Sequence, residues 1–261
     1  MRWLAAIVML LAPRGVFCWG LEGHRLVVRI AEGLLSATAR ARVAATLAPD
    51  KSLSALASWA DEVRPSRMET EPWHYVDIPL HSSGLDLRRD CPEGNCIIGK
   101  IIEFRKTWQD RTASPVIRRE ALLFLVHFMG DLHQPLHCVD NGDQGGNEVR
   151  VRFLGGDTQL HAVWDHGLFD HLPAEDALFA QLVRAMTAKH VAEWSHGTVE
   201  QWAGESFHVA QKAVYGLLPP PAADGIIELG ESYLRAAEPV VELQLEKAGA
   251  RLATILNQSA P

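Results

Sequence analysis

The stretch Phe124-Leu-Val-His-Phe-Met-Gly-Asp-Leu-His-Gln-Pro-Leu-His137 carries the strongest signal for both the fold and the chemistry of this chain. His127 and Asp131 are four residues apart, so they share one face of a helix. Pro135 must end or kink that helix, which lets His137 turn back toward the same cavity. The stretch therefore predicts a helix that presents a His/Asp pair, with another candidate ligand just after it.

A second His/Asp pair repeats the four-residue spacing, in Leu160-His-Ala-Val-Trp-Asp165. Imidazole nitrogens and carboxylate oxygens are ordinary zinc ligands, and two such pairs with His137 exceed the four ligands of one tetrahedral ion. An isolated pair is more often a hydrogen-bonded part of the core. Two pairs in one chain favour a metal centre with more than one ion.

Helical periodicity dominates the rest of the chain, with apolar residues recurring at spacings of three and four. The segments with this pattern are 26–35, 42–47, 97–108, 120–132, 177–192 and 226–256. Residues 147–153 instead alternate apolar and charged side chains, and Gly155-Gly156-Asp157 then turns the chain. The prediction is a mainly α fold with one short β-hairpin.

The first eighteen residues are typical of a secretory signal, because Arg2 precedes an apolar run that ends near a possible cleavage point. The run is shorter than the ~20 residues of a membrane-spanning helix and is interrupted at Pro13. We expect residues 1–18 to be a signal peptide and residues 19–261 a single domain that begins at Trp19. The protein would be exported, periplasmic or extracellular, without a membrane anchor.

Cys91 and Cys96 bracket a short turn-rich loop, which an oxidising compartment could close with a disulfide. The alternative is two free thiols on a surface turn. Cys138 would have no partner in the exported chain. A cysteine zinc site is not expected, because the chain has no second cysteine pair to complete it.

The net charge of −7 becomes −9 when Arg2 and Arg14 leave with the signal, because that segment holds no acid. This is not the basic character of a protein that binds duplex nucleic acid. A nucleic-acid enzyme with this charge must obtain its positive field from bound metal cations.

Taken together, the motifs resemble those of the zinc-dependent single-strand-specific nucleases, the S1/P1 nuclease family, along most of the exported chain. The resemblance is carried by Trp19-Gly20 with His24, Trp59-Ala60-Asp61 with Arg64, His74-Tyr75-Val76-Asp77, the stretch 124–137, Gly145-Gly146-Asn147, and Leu160-His161 with Trp164-Asp165. It implies the helical fold shared by these nucleases and zinc phospholipase C.

The resemblance also implies nine ligands for three zinc ions. One ion would be held by Asp61, His74, His127 and Asp131, and Asp131 would bridge to the second. The second would take the free amino group and carbonyl of Trp19, with His24. The third would take His137, His161 and Asp165. An uncleaved precursor would lack a proper second site, because an amide nitrogen is a poor zinc ligand.

The implied activity is hydrolysis of single-stranded DNA and RNA to 5′-phosphorylated products, with removal of 3′-phosphates from nucleotides. Two ions sharing a carboxylate can turn a bridging water into hydroxide, while a third neutralises charge on the departing oxygen. By resemblance, Asp77 orients that water and Arg64 holds a phosphate oxygen. The alternatives are a turn cap for Asp77 and a surface cation for Arg64.

Substrate contacts are expected at two further positions. Tyr75 matches an aromatic that stacks on a base, and a cluster at the bottom of a cleft favours flexible single strands over stiff duplexes. Asn147 would offer its amide to a base edge. The alternatives are that Tyr75 packs against the core and that Asn147 caps the strand.

The remaining histidines have no partner at ligand spacing and are interpreted as surface or structural residues: His81, His133, His166, His171, His190, His196 and His208. Two other functions remain open. A zinc phospholipase C is disfavoured by the short spacing from Trp19 to His24 and by Asp165, where those enzymes use glutamate. A zinc-sequestering or nucleic-acid-binding protein would not need Asp77 or Arg64. We expect a monomer.

Overall fold

The computed structural model describes residues 19–47 and 52–258, which form a mainly helical structure, as predicted. The predicted signal peptide lies outside the described residues. The α-helices are α1 (Leu21–Leu34), α2 (Ala37–Thr46), α3 (Trp59–Val63), α4 (Leu87–Asp90), α5 (Ile97–Gln109), α6 (Pro115–Asp131), α7 (Leu160–Ala162), α8 (Glu175–Ala185), α9 (Ala188–Trp194), α10 (Val199–Val209) and α11 (Glu231–Gln258).

Helix α6 runs through the centre of the core. It begins at Ser114, whose hydroxyl accepts a hydrogen bond from the backbone of Ile117, and Pro115 occupies the first helical position. From Ala121 to Asp131 every residue is buried, so apolar side chains surround the helix on all sides. This burial places His127 and Asp131, near the end of the helix, inside the protein.

The long helix α11 packs against α1, which carries His24. A Cβ atom at Gly249 of α11 would lie only 2.4 Å from the Ile30 side chain of α1. Glycine therefore permits the close approach of these two helices. The contact fixes the position of α1 relative to the core.

The predicted hairpin is present as β1 (Arg150–Phe153) and β2 (Gly156–Gln159), which pair antiparallel. The structure adds β3 (Ile227–Leu229), which pairs parallel with β1 and gives the order β2-β1-β3. The turn lies at Leu154 and Gly155, both with positive φ, so it comes one residue earlier than predicted.

Two predicted helices were wrong in extent. Residues 177–192 are divided between α8 and α9, because Thr187 caps a new helix by accepting the backbone N–H of His190. Residues 226–256 begin as strand β3, and α11 starts only at Glu231. Apolar spacing alone reports neither the local helix cap at Thr187 nor the pairing of β3 with the distant strand β1.

Candidate metal centre

The buried carboxylate of Asp131, at the end of α6, lies among three histidines. Its Oδ1 is 3.2 Å from Nε2 of His24, and its Oδ2 is 2.9 Å from Nδ1 of His74 and 3.3 Å from Nε2 of His127. The Oδ2 of Asp61 lies 3.6 Å from Nε2 of His127. Four separate segments, which carry His24, Asp61, His74 and the pair on α6, thus meet in one cluster.

These five side chains form two overlapping groups that could each hold a metal ion. One contains His24, His127 and Asp131, and the other contains Asp61, His74 and His127. Within each group the ligand atoms lie within 4.8 Å of one another. The imidazoles of His24 and His127 stack with ring centroids 4.0 Å apart, which keeps the two groups adjacent.

A further group contains His137, His161 and Asp165, again with ligand atoms within 4.8 Å. His161 belongs to α7, and Asp165 belongs to the π-helical turn Val163–Gly167 that follows directly. The Nε2 of His161 is 3.3 Å from Oδ2 of Asp165. Such π turns often occur at functional sites, because the extra residue re-aims a side chain.

The short helical turn Pro135–Cys138 brings His137 back beside His74, as the position of Pro135 predicted. The Nδ1 of His137 donates to the carbonyl of His74 at 2.8 Å, and the N–H of Val76 donates to the carbonyl of His137 at 2.8 Å. The backbone therefore fixes the distance between the two parts of the centre.

Backbone carbonyls also fix the tautomers of the histidines. A carbonyl only accepts, so Nδ1 carries the proton in His127 bonded to Ala57, in His137, and in His161 bonded to Gly145. The Nε2 atoms of these three rings are buried and have no hydrogen-bond partner within the described residues. Their lone pairs fit a divalent metal ion, in the arrangement typical of metal-bound histidine.

The electrostatics of the first two groups demand positive charge. Burial opposes ionisation of His127, yet Asp131 and Asp61 raise its pKa well above the ordinary value. Burial likewise works against the charge on Asp131, but its histidine neighbours hold its pKa well below the usual range. A cation between these carboxylates, either a proton or a metal ion, resolves the conflict.

The third group differs in the direction of its pKa shifts. Burial raises the pKa of Asp165 well above its ordinary range, although the Gln134 amide lowers it. Burial and the neighbouring His137 lower the pKa of His161 to about 3. His161 is therefore neutral and in its ligand form at every physiological pH.

Gln134 was missed by the sequence analysis. Its side chain is fully buried, its Nε2 donates to Oδ1 of Asp165 at 2.8 Å, and its Oε1 accepts from the backbone of Leu136 at 2.6 Å. The available signal was a polar residue between the candidate ligands Asp131 and His137. Gln134 orients Asp165 so that Oδ2 points toward His161.

The motif Gly145-Gly146-Asn147 proves to be a backbone support. The carbonyl of Gly145 accepts from Nδ1 of His161 at 2.7 Å, and a Cβ at Gly145 would lie 2.6 Å from the carbonyl oxygen of Leu136. The φ of Gly145 is also positive, which favours glycine. Asn147 donates from its amide to the carbonyl of Gln144 at 2.8 Å, within its own turn.

The other predicted residues are Tyr75 and Asp77, which follow His74 in the chain, and Arg64. Tyr75 and Asp77 are exposed and alternate with buried His74 and Val76, so both side chains point outward from one extended segment. Arg64 lies 3.9 Å from Oδ1 of Asp61, measured from its Nη1. A cation and an aromatic ring are thus available near the ligands.

Asp77 has an altered acidity. Although Asp77 is exposed, its carboxyl group is partly desolvated, and this desolvation, followed by the charges of Asp140 and Asp90, raises its pKa to about 6. The carboxylate therefore changes its protonation within a pH range that enzymes use.

Trp19 is fully buried, and its ring makes an edge contact with Phe169 at 5.7 Å between centroids. The next residue, Gly20, donates its backbone N–H to the carbonyl of Asp165 at 2.7 Å. These contacts hold the start of the described chain against the centre. Cys91 and Cys96 form the predicted disulfide, and Cys138 is free and buried.

Comparison with known proteins identifies the family. The family model described as S1/P1 Nuclease matches residues 19–261. The chain belongs to the S1/P1 nuclease family. Among its S1/P1 relatives, Endonuclease 4 of Arabidopsis thaliana is 32% identical, covering 98% of this chain and 94% of its own length.

Two fungal S1/P1 relatives are also similar over nearly their full length. Nuclease P1 of Penicillium citrinum is 29% identical over 92% of this chain and 97% of its own, and Nuclease S1 of Aspergillus oryzae is 28% identical over 92% and 91%. This S1/P1 protein is thus a nuclease, a hydrolase whose substrates are nucleic acids. Among the described helices, none combines the length and apolar character needed to cross a membrane.

Proposed function

We propose that this protein is a zinc-dependent endonuclease that hydrolyses single-stranded DNA and RNA to 5′-phosphorylated products and removes 3′-phosphates from nucleotides. The observation that carries the proposal is the set of buried histidines whose Nδ1 atoms are tied to carbonyls while their Nε2 atoms lack partners. Imidazole with carboxylate is a donor set suited to zinc.

Three zinc ions would be distributed over the nine ligands that the family resemblance implies. Asp61, His74, His127 and Asp131 would hold the first ion, and His137, His161 and Asp165 the third. The second would take His24 and Asp131 with the amino group and carbonyl of Trp19. Bound zinc supplies an activated water and neutralises charge on the phosphate.

The chain's own residues then position the reacting groups. The carboxylate of Asp77 accepts a proton from the attacking water and orients it, which requires the ionised form. The guanidinium of Arg64 binds a nonbridging phosphate oxygen. Because Arg64 also lies beside Asp61, it holds the phosphate close to the metal ligands.

Base binding would depend on stacking rather than on base identity. The exposed ring of Tyr75, adjacent to ligand His74, provides an aromatic face for an unpaired base. Asn147, held in its turn by Gln144, would contribute an amide contact to a base edge. A paired base cannot stack on Tyr75, which explains a preference for single strands.

Export completes the proposal. Residues 1–18 would be removed as a signal peptide, and the domain 19–261 would act outside the cytoplasm, in the periplasm or beyond, as a monomer. The disulfide between Cys91 and Cys96 supports an oxidising compartment. Removal of the signal would create the Trp19 amine that the second zinc requires.

The test is release of acid-soluble nucleotides from heat-denatured DNA and RNA by the chain starting at Trp19. Matched samples contain native duplex, chelator, or chelator followed by zinc. Cleavage of single strands that chelator abolishes and zinc restores is expected. A zinc-loaded protein that leaves nucleic acid intact but hydrolyses phosphatidylcholine would indicate a phospholipase, and one inactive on both would indicate zinc sequestration.

A further inference from the structure

The disulfide loop, residues 91–96, lies against the segment that carries Tyr75. The N–H of Ile97, immediately after the loop, donates to the carbonyl of Tyr75 at 3.0 Å. Within the loop, the side-chain oxygen of Asn95 accepts from Nε1 of Trp73 at 2.9 Å. The loop and the residue directly after it therefore contact Trp73 and Tyr75, the neighbours of His74 on either side in the chain.

The loop is itself firmly held. The disulfide closes it, and a Cβ at Gly99, in the first turn of α5, would lie only 2.2 Å from the carbonyl oxygen of Gly94. Gly94 also has a positive φ, which favours glycine. The loop is consequently packed against α5 as a fixed platform.

The backbone of Tyr75 is held between this platform and the metal centre. Its carbonyl is bound by Ile97, while the next residue, Val76, donates to the carbonyl of the ligand His137. The Tyr75 side chain is 36% exposed, whereas His74 and Val76 are buried. The backbone contacts on its two sides therefore fix the position of the Tyr75 main chain and the direction in which its side chain leaves it.

We propose that the disulfide loop is the positioning element of the Tyr75 stacking site. Through Asn95, which binds Trp73, and through Ile97 directly after it, which binds the Tyr75 carbonyl, the loop fixes the backbone from which the Tyr75 ring extends toward an incoming base. Loosening the loop would weaken base binding and leave hydrolysis at the metal ligands unchanged. This inference rests on the proposed nuclease function and adds a role that neither the metal ligands nor Asp77 can supply.

Ile97 allows a test that removes a single hydrogen bond. Ile97 is the first residue of α5, and proline is favoured at the first position of a helix. The preceding residue, Cys96, has an extended backbone with φ −151 and ψ 174, which is the region that a residue before proline adopts. Ile97→Pro deletes the donor to Tyr75 while keeping the helix start. Ile97→Val keeps the donor and trims the same buried side chain, so it is the matched control.

Two substrates are compared: a single-stranded dinucleotide, and the same dinucleotide in which the nucleotide that would stack on Tyr75 lacks its base. Base stacking on an aromatic ring is strong enough that losing it raises KM about tenfold. We expect Ile97→Pro to raise KM for the dinucleotide about tenfold, with kcat, the zinc content and the KM of the abasic molecule unchanged. Ile97→Val should match the wild type.

Two further variants separate positioning from general damage. Combined with Tyr75→Ala, Ile97→Pro should have no additional effect, because the ring it positions is gone. The double variant Cys91→Ser/Cys96→Ser should change KM in the same direction without loss of zinc.

Equal KM changes for both substrates, additive effects with Tyr75→Ala, or an Ile97→Pro variant identical to Ile97→Val would overturn the inference while the nuclease function stands. A zinc-loaded wild type that cleaves neither molecule would overturn the proposed function, and this inference with it.

Discussion

Replacing Gln134 by glutamate should selectively weaken the third metal group. Gln134 donates from Nε2 to Oδ1 of Asp165 and accepts from Leu136 through Oε1. Gln134→Glu keeps the acceptor and nearly the same shape but replaces the donor with a second carboxyl oxygen. The change therefore replaces the hydrogen bond to Asp165 by a contact between two buried carboxyl groups, without opening a cavity.

The magnitude follows from the kind of bond removed. A hydrogen bond to a charged group contributes about 1.5–3 kcal/mol, which corresponds to roughly 10–100-fold in zinc affinity. The loss of residues that orient metal ligands costs a similar ~10–100-fold. The groups around Asp131 should keep their affinity, because the side-chain contacts of Gln134 go to Asp165 and Leu136.

The assay is zinc content against free zinc in a chelator-buffered titration. Wild type should retain three ions per chain, while Gln134→Glu should pass through a plateau at two. Gln181→Leu is the matched control, because Gln181 donates to the carboxylate of Glu242 at 2.6 Å on the surface, away from the centre. A titration of Gln134→Glu that coincides with wild type, or one in which all three ions weaken equally, would refute the reasoning.

Four further outcomes are expected. Asp77→Asn should abolish the rise of kcat/KM near pH 6, because Asp77 acts as a carboxylate and its pKa is about 6; retention of that rise would contradict its role. Because this pKa is raised from 3.8 to about 6, the folded wild type loses stability as the pH rises through that range. Asp77→Asn should therefore have a free energy of unfolding about 1 kcal/mol higher than wild type at pH 7, after allowance for exposure, and an equal one at pH 3. Urea unfolding at the two pH values measures the difference. Gly249→Ala should lower the free energy of unfolding by about 1–3 kcal/mol by pushing α11 from Ile30, with zinc content unchanged; unaltered stability would show that the two helices can separate freely. Chelator should lower the melting temperature, because free zinc at a hundred times its Kd stabilises the folded protein by about 2.7 kcal/mol per site. A melting temperature that does not change with zinc would argue against bound metal.

Much of the centre could be predicted because helical spacing is local. His127 and Asp131 share a face because they are one turn apart on α6. His161 and Asp165 have the same spacing, across α7 and the π-helical turn that follows it. Helix boundaries were less predictable. The start of α11 depends on β3 pairing with a strand far away in the sequence, which no local pattern reports.

Apolar periodicity and the chemistry of individual side chains were enough to predict the helical class and the types and spacing of the candidate ligands. Tertiary packing sets which of these residues meet, how the carbonyls of Ala57, His74 and Gly145 orient the imidazoles, and that Gln134 reaches Asp165. The physical reason is that hydrogen bonds between distant segments depend on packing. The spacing of residues along the chain therefore does not predict these hydrogen bonds.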